Sequence, residues 1–359
     1  MSAVIDQILA EVERRVTPTI GERQRIEGVV KHLEQTAKVG AEQLGLEVDT
    51  LLAGSVARDT WLSGEADLDF FLLFPANYSR SRLESDGLNL AQRVAEGKGI
   101  KVYAEHPYLR TVYQGIRVDL VPAVKVENTA QKVTAVDRTP FHLRFFKERL
   151  TPRMCAEIRI LKKYMKGVGV YGSEARTLGF SGFVCELLAL AYGGFLNFVS
   201  AVDKWKPPTV VSLGQNQVKS SSHLIVVDPT DPTRNAAAAV TLDSYSLLVA
   251  SCHRFLSAPS LKFFFPEEYA PKNVWEDALK VVHKLTVIEI TMTGIVEEVA
   301  WSELRSSSAG IARHLTRKGF NVLDTYFCLN GGSGYLAFET DSYRLPETEL
   351  RSGPPVYEH

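Results

Sequence analysis

Between Gly21 and Gly45, apolar residues of GERQRIEGVVKHLEQTAKVGAEQLG recur every three or four positions, which predicts a helix stopped by the glycine. The pattern then shortens. VDTLLAG (48–54) reads as a strand, a short helical turn follows, and DLDFFLLF (67–74) reads as a second strand stopped by Pro75. SRLESDGLNLAQRVAEG returns to helical spacing, and KVYAEHPYLRTVYQG with IRVDLVPAV reads as two strands turned at Gln114-Gly115. Residues 1–145 are therefore predicted as one small sheet domain with helices.

Helical patterns dominate from residue 151: PRMCAEIRILKKYMKG, GFSGFVCELLALAYGGFLNFVSAV and RNAAAAVTLDSYSLLVASCHRFL, with loops at Pro207-Pro208 and QNQVKSSSH. We assign this helical neck to 146–262. After FFFPEEYAPKN the order becomes strand (LTVIEITMT), helix (EEVAWSELRSSSAGIARHLTRKG), strand (VLDTYFCL), a Gly-rich turn and strand (YLAFETDSY). That β-α-β-β order over 263–359 is the first part of a ferredoxin-like unit, without its second helix and closing strand. The fold class expected is α+β. A half-built unit leaves an apolar sheet face and an edge open, so another segment, a second subunit in a homodimer, or bound RNA is expected to cover it.

Composition narrows the class. The chain has 359 residues, 45% hydrophobic and 23% charged, enough for two or three domains with real cores. No apolar stretch approaches the roughly 18–20 residues that span a bilayer, and MSAVIDQILAEVERR has no signal-peptide profile, so no membrane association and a cytoplasmic location are expected. Cys155, Cys185, Cys252 and Cys328 are scattered, without a CxxC pair, and read as buried reduced thiols rather than a zinc site. Net charge is −1, but Arg144, Lys147, Arg149, Arg153, Arg159, Lys162, Lys163 and Lys166 crowd one stretch against only Glu148 and Glu157. On charge alone that is a solvated helix face; it also suits a phosphate-bearing ligand.

The chemistry gathers in GSVARDTWLSGEADLD (54–69). Residues two apart on a strand share a face, so Asp67 and Asp69 project together while Leu68 and Phe70 enter the core. Paired carboxylates repel unless a cation lies between them, and Mg²⁺ takes oxygen ligands of this kind together with substrate phosphates. Gly54 lets a phosphate approach the backbone, Ser55 adds a hydroxyl and Arg58 a charge-assisted contact. Asp119, alone in the apolar strand IRVDLVPAV, is costly to bury without a partner. A third carboxylate aimed at the same cations explains it.

Gly-Ser, a gap, Asp-x-Asp on a strand and a later third acid match the motif of the nucleotidyltransferase superfamily. The segments GSVARDTWLSGEADLDFFLLFP, TAVDRTPFHLRFF, LKKYMKGVGVYG, LGFSGFVCELLALAYGGF and DPTDPTRNAAAAV resemble the archaeal (class I) CCA-adding tRNA nucleotidyltransferases, and the similarity runs through essentially the whole chain. The resemblance implies a polymerase-beta-like palm, a helical neck that recognises the base and a tRNA-binding body, which in that family usually continues into a C-terminal extension. It implies template-independent addition of C, C and A to the tRNA 3′ end from CTP and ATP, at a two-metal Mg²⁺ site held by Asp67, Asp69 and Asp119. It also implies that Ser55 and Arg58 bind the triphosphate, that His142, Lys162 and Tyr171 contact the nucleotide, and that Arg234 recognises its base. Two alternatives stay open: an ATP-specific poly(A)- or oligoadenylate-type nucleotidyltransferase, and a tRNA-binding relative with impaired catalysis.

Overall fold

The computed structural model describes residues 2–102, 107–126, 138–267, 284–348, 353 and 357. Part of the 101–115 strand stretch, part of TAVDRTPFHLRFF, part of FFFPEEYAPKN and most of the GPPVYEH end lie outside them.

Helix α1 (Ser2–Val16) leads into α2 (Ile20–Leu44). Thr19 starts α2 with a capping box: its hydroxyl accepts from the Glu22 N–H while the Glu22 carboxylate accepts from the Thr19 N–H. Gly45 ends it in the left-handed conformation. The buried stripe Ile26, Val29, Leu33, Ala37 and Ala41 lies against a sheet.

That sheet comprises β1 (Asp49–Ala53), β2 (Asp67–Phe74), β3 (Ile100–Val102), β4 (Tyr108–Tyr113) and β5 (Ile116–Val124). Between its strands lie the one-turn helix α3 (Gly54–Ala57) and α4 (Arg80–Val94). The spatial order is β1-β2-β5-β4-β3, with only β2 and β5 parallel. Alternation decides the faces. Leu68, Phe70, Leu72, Phe74, Val118, Leu120 and Val124 join the core under α2 and α4, and Phe71, Val121 and Ala123 form a smaller cluster on the other face. The stretch 101–115, read as one strand, is two: β3 pairs back onto β4, with Lys101 opposite Leu109. The β4–β5 hairpin does turn at Gln114-Gly115, whose φ values of 49° and 75° suit a two-residue turn with both central residues left-handed.

The next elements are α5 (Thr139–Lys147), α6 (Pro152–Val168), α7 (Gly182–Tyr192), α8 (Phe195–Val202), β6 (Thr209–Val211), β7 (Leu224–Asp228), β8 (Asp231–Asn235) and α9 (Leu242–Ser257). Two expectations need correction. The apolar run 179–202 is two helices bent by 93° at Gly193-Gly194. The run from Arg234 is not helical at its start: Arg234 sits in β8, and the helix begins only after Thr241, whose hydroxyl accepts from the Ser244 N–H. A β6-β7-β8 sheet that the apolar spacing did not foretell lies between the helices, its central strand β7 buried throughout. Tyr164 is the aromatic centre of this region, with edge contacts to Phe195 at 5.2 Å and Phe264 at 5.4 Å. Val12, Val16 and Leu62 share the same core, so 1–173 and 178–266 form one compact unit.

The second unit holds 174–177 and 267–359. Its elements are β9 (Lys284–Thr291), α10 (Glu297–Arg317), β10 (Val322–Asn330) and β11 (Ser333–Thr340). The β-α-β-β order is as expected, with strands arranged β10-β11-β9, all antiparallel. Ala300 and Leu304 of α10 pack on Leu336 and Phe338. Edge strand β9 stays exposed: Ile288 pairs with buried Leu336 yet is 37% exposed. Three cysteines are buried as expected, but Cys328 is exposed.

Candidate active site

The carboxylates are brought together by strand register. Asp69 lies directly opposite Asp119 on the parallel neighbour β5, and opposite Ala53 on β1. Asp67, opposite Arg117, points to the same face two residues earlier. The crowding shows in the titration of Asp69: burial first, then the Asp119 charge, push its carboxyl up to about 6, with Arg58 pulling the other way. Asp67 is raised by burial as well, against the pull of Arg117. Gly54 makes the close approach possible. It turns at φ +70°, and a Cβ there would sit 2.9 Å from Asp69 Cγ and nearer still to Oδ2.

Two arginines hold the outer acids. Arg110 grips Asp119 with Nε at 2.7 Å and Nη2 at 2.8 Å, and Arg117 donates to Asp67. Among the described residues, no three acidic, histidine or cysteine side chains stand close enough, as placed, to ligate one ion. The donor chemistry nonetheless fits a hard divalent cation: three carboxylates on one face of adjoining strands, with Asp69 raised first by burial and then by the charges of Asp119 and Asp67.

Beside them an open cleft of 350 Å³ is lined by Ser55, Asp67, Arg117, Lys162, Lys166 and Tyr171 among others. Lys162 reaches it from α6 with its side chain only 3% exposed. Its ammonium donates to the Thr60 carbonyl at 3.1 Å and to Glu186 Oε1 at 2.8 Å. Glu186, fully buried on α7, also accepts from Arg58 Nε at 2.7 Å and from the Thr60 hydroxyl. Burial pushes Glu186 up, but Arg58, Lys162 and the hydrogen bonds outweigh it and hold the carboxyl below its ordinary range. Arg58 is therefore not on the surface; it is buried in this pair and stacked 5.2 Å from the Phe146 ring.

The other predicted residues meet in a second cluster. His142 of α5 places Nε2 3.0 Å from Asp228 Oδ2, and Arg234 of β8 donates to the same oxygen at 2.9 Å. The imidazole packs on Phe183 at 4.3 Å, Phe183 on Phe146 at 5.9 Å, and Phe146 on Arg58, which links the two clusters. Reading the residues alone misses Asp228 and Glu186. Glu186 sits in an apolar run where an acid signals an unseen partner; Asp228 leaves only the weak mark of an Asp ending the apolar run LIVVD. The basic run is also not one solvated face: Arg159 and Lys162 are buried, Arg159 donating to the Asp59 and Trp61 carbonyls.

Comparison with known proteins follows this layout. Residues 34–142 match the nucleotidyltransferase domain, 156–265 the second domain of tRNA nucleotidyltransferase, and 283–359 the C-terminal domain of the CCA-adding enzyme. The CCA-adding enzyme of Methanosarcina mazei is 36% identical over 363 residues, covering 99% of this chain and 80% of the relative. Those of Halobacterium salinarum and Thermococcus gammatolerans are each 35% identical, covering 97% and 98% of this chain and 78% and 81% of theirs. The chain belongs to the CCA-adding enzyme family. As a CCA-adding family member it is a nucleotidyltransferase, and its α+β fold is shared well beyond the family. E. coli MS115-1 CdnC with ATP superposes with a TM-score of 0.55 at 16% identity, over 72% of this chain and 94% of that one. A cytoplasmic RNA terminal U-transferase gives 0.53 at 13%, over 72% and 95%. The Cid1 poly(U) polymerase structure with Mg and 3′-dATP bound gives 0.54 at 13%, over 71% and 94%. No single helix among the described residues is long and apolar enough to cross a membrane.

Proposed function

We propose that this CCA-adding family member extends the 3′ end of tRNA lacking its terminus by C, C and A, taking CTP and ATP without a template. The observation that carries the reading is the register of Asp69 opposite Asp119, with Asp67 on the same face beside the cleft of Ser55, Lys162 and Tyr171. In the reaction the RNA 3′-hydroxyl oxygen bonds to the α-phosphorus and its proton passes to solvent, while the α–β bridging P–O bond breaks and pyrophosphate leaves with that electron pair.

Asp67, Asp69 and Asp119 would hold two Mg²⁺ ions, which supply Lewis-acid stabilisation of phosphate charge and a lowered pKa for the attacking hydroxyl. Gly54 keeps Cβ bulk away from Asp69, so its carboxylate has room. Ser55 offers its hydroxyl to the triphosphate, and Lys162 and Arg58 supply positive charge held in place by Glu186 rather than mobile in solvent. Arg110 and Arg117 pair with Asp119 and Asp67 and offset their charge. His142, Tyr171 and Arg234 orient the base. In this reading 1–145 carries the chemistry, 146–262 selects the base, and 263–359 grips the RNA.

The test is incorporation of labelled CMP into tRNA lacking CCA with Mg²⁺ present, by the parent and by Asp69→Asn. The parent should incorporate and the variant should not; equal behaviour defeats the reading.

A further inference from the structure

Asp228 has no part in the chemistry above, yet it is fully buried and completely engaged. Its Oδ1 accepts from the Thr230 N–H at 2.9 Å and hydroxyl at 2.8 Å, which fixes the carboxylate at the turn from β7 to β8. Its Oδ2 accepts from Arg234 Nη1 at 2.9 Å and faces His142 Nε2 at 3.0 Å. Burial pushes this carboxyl up, but the His142 contact and the Thr230 hydrogen bonds outweigh it, so Asp228 stays anionic. A second ion pair, Arg138 with Asp231 at 3.2 Å, ties the start of α5 to the same turn.

One carboxylate thus joins a strand, a helix and a hairpin, and the two side chains it holds are the ones read above as base contacts. A guanidinium carries N–H donors in a fixed planar fork and no acceptor. With Nη1 pinned and the side chain 36% exposed, the other edge of Arg234 is presented in one orientation. Cytosine and adenine both offer a ring-nitrogen acceptor beside an exocyclic amine, whereas uracil and guanine offer a ring N–H at that place. A donor-only group in fixed position accepts the first pair and leaves an unmatched donor against the second.

Resting on the function proposed above, we propose that Asp228 is a positioning residue for nucleotide selection: it locks Arg234 and His142 into one rigid unit, and discrimination of CTP and ATP against UTP and GTP depends on that lock. Released from it, Arg234 samples several rotamers and the selectivity falls while the carboxylate chemistry at Asp67, Asp69 and Asp119 persists.

The experiment measures incorporation of each of the four nucleotides, with kcat and KM separated, and binding of CTP and UTP by equilibrium dialysis. It compares the parent, Asp228→Asn, Thr230→Val, Arg234→Lys and the Asp228→Asn/Arg234→Lys pair, each checked for folding by circular dichroism. In Asp228→Asn, CTP-over-UTP discrimination should fall about tenfold or more, mainly through KM. Thr230→Val should shift the same way by less, and the Asp228→Asn effect should largely vanish once Arg234 is Lys. A parent that binds CTP but incorporates no nucleotide defeats the functional reading itself. A parent that incorporates CMP, with unchanged discrimination in whichever of Asp228→Asn and Thr230→Val folds, or with fully additive effects in the pair, overturns the positioning role.

Discussion

The Asp69 carboxylate lies where a side chain on residue 54 would have to be, with Asp69 Cγ 2.9 Å from the position of a Cβ on Gly54. The glycine is thus required twice, for its φ of +70° and for the space beside the acid. Gly54→Ala should cost about 1–2 kcal/mol of stability from the left-handed backbone alone. By displacing Asp69 on the order of 1 Å it should lower kcat by about 100-fold. Steady-state kinetics beside urea unfolding checks both; a variant with near-parent kcat would remove Gly54 from the site.

Asp69 is held charged at neutral pH against its burial and two neighbouring acids. Its folded pKa is raised to about 6, above the ordinary aspartate value, so the ionised group opposes folding near pH 7 and that penalty fades as pH falls through about 6. Asp69→Asn should therefore melt no lower than the parent in EDTA at pH 7. Added Mg²⁺ should raise the parent's Tm and leave the variant's unchanged. Equal Mg²⁺ responses in calorimetry would place the cations elsewhere.

Glu186 balances Arg58 and Lys162 in the interior. Removing one member of such a buried set strands the opposite charges, so Glu186→Gln should lose about 3–5 kcal/mol at pH 7. The sign with pH follows from the lowered folded pKa: the stabilisation is complete above the unfolded value, about 4.3, and is lost as pH falls through the folded one. The gap between parent and variant should thus narrow below about pH 4. Urea titrations from pH 7 to pH 3 read this directly, and a constant gap would contradict it.

The open flank of β9 makes a different prediction. Ile288 and Ile290 face the side of α10, yet remain 37% and 36% exposed. Ile288→Thr should lower binding of a hydrophobic dye while costing no more than about 1 kcal/mol of stability, since little buried area is lost. Unchanged dye binding would mean that this flank is already covered in solution.

Much of this architecture is legible in the residues because it is local. Period-two spacing puts Asp67 and Asp69 on one face, Gln114-Gly115 marks a hairpin, and Gly45 ends a helix. What escapes is long-range. Glu186 meets Arg58 across 128 positions and Asp228 meets His142 across 86, separations at which spacing carries no signal. Arg234 misleads for a related reason. The alanines after it favour a helix, but pairing of Asn235 with Val227 of β7 overrides that local propensity.

The most direct measurement is the length of product made on tRNA lacking CCA, resolved to one nucleotide. With CTP alone the chain should stop after two additions, with CTP and ATP after three, and with ATP alone it should add nothing. A long oligoadenylate tail made from ATP alone, or no product under any of the three conditions, would contradict the account.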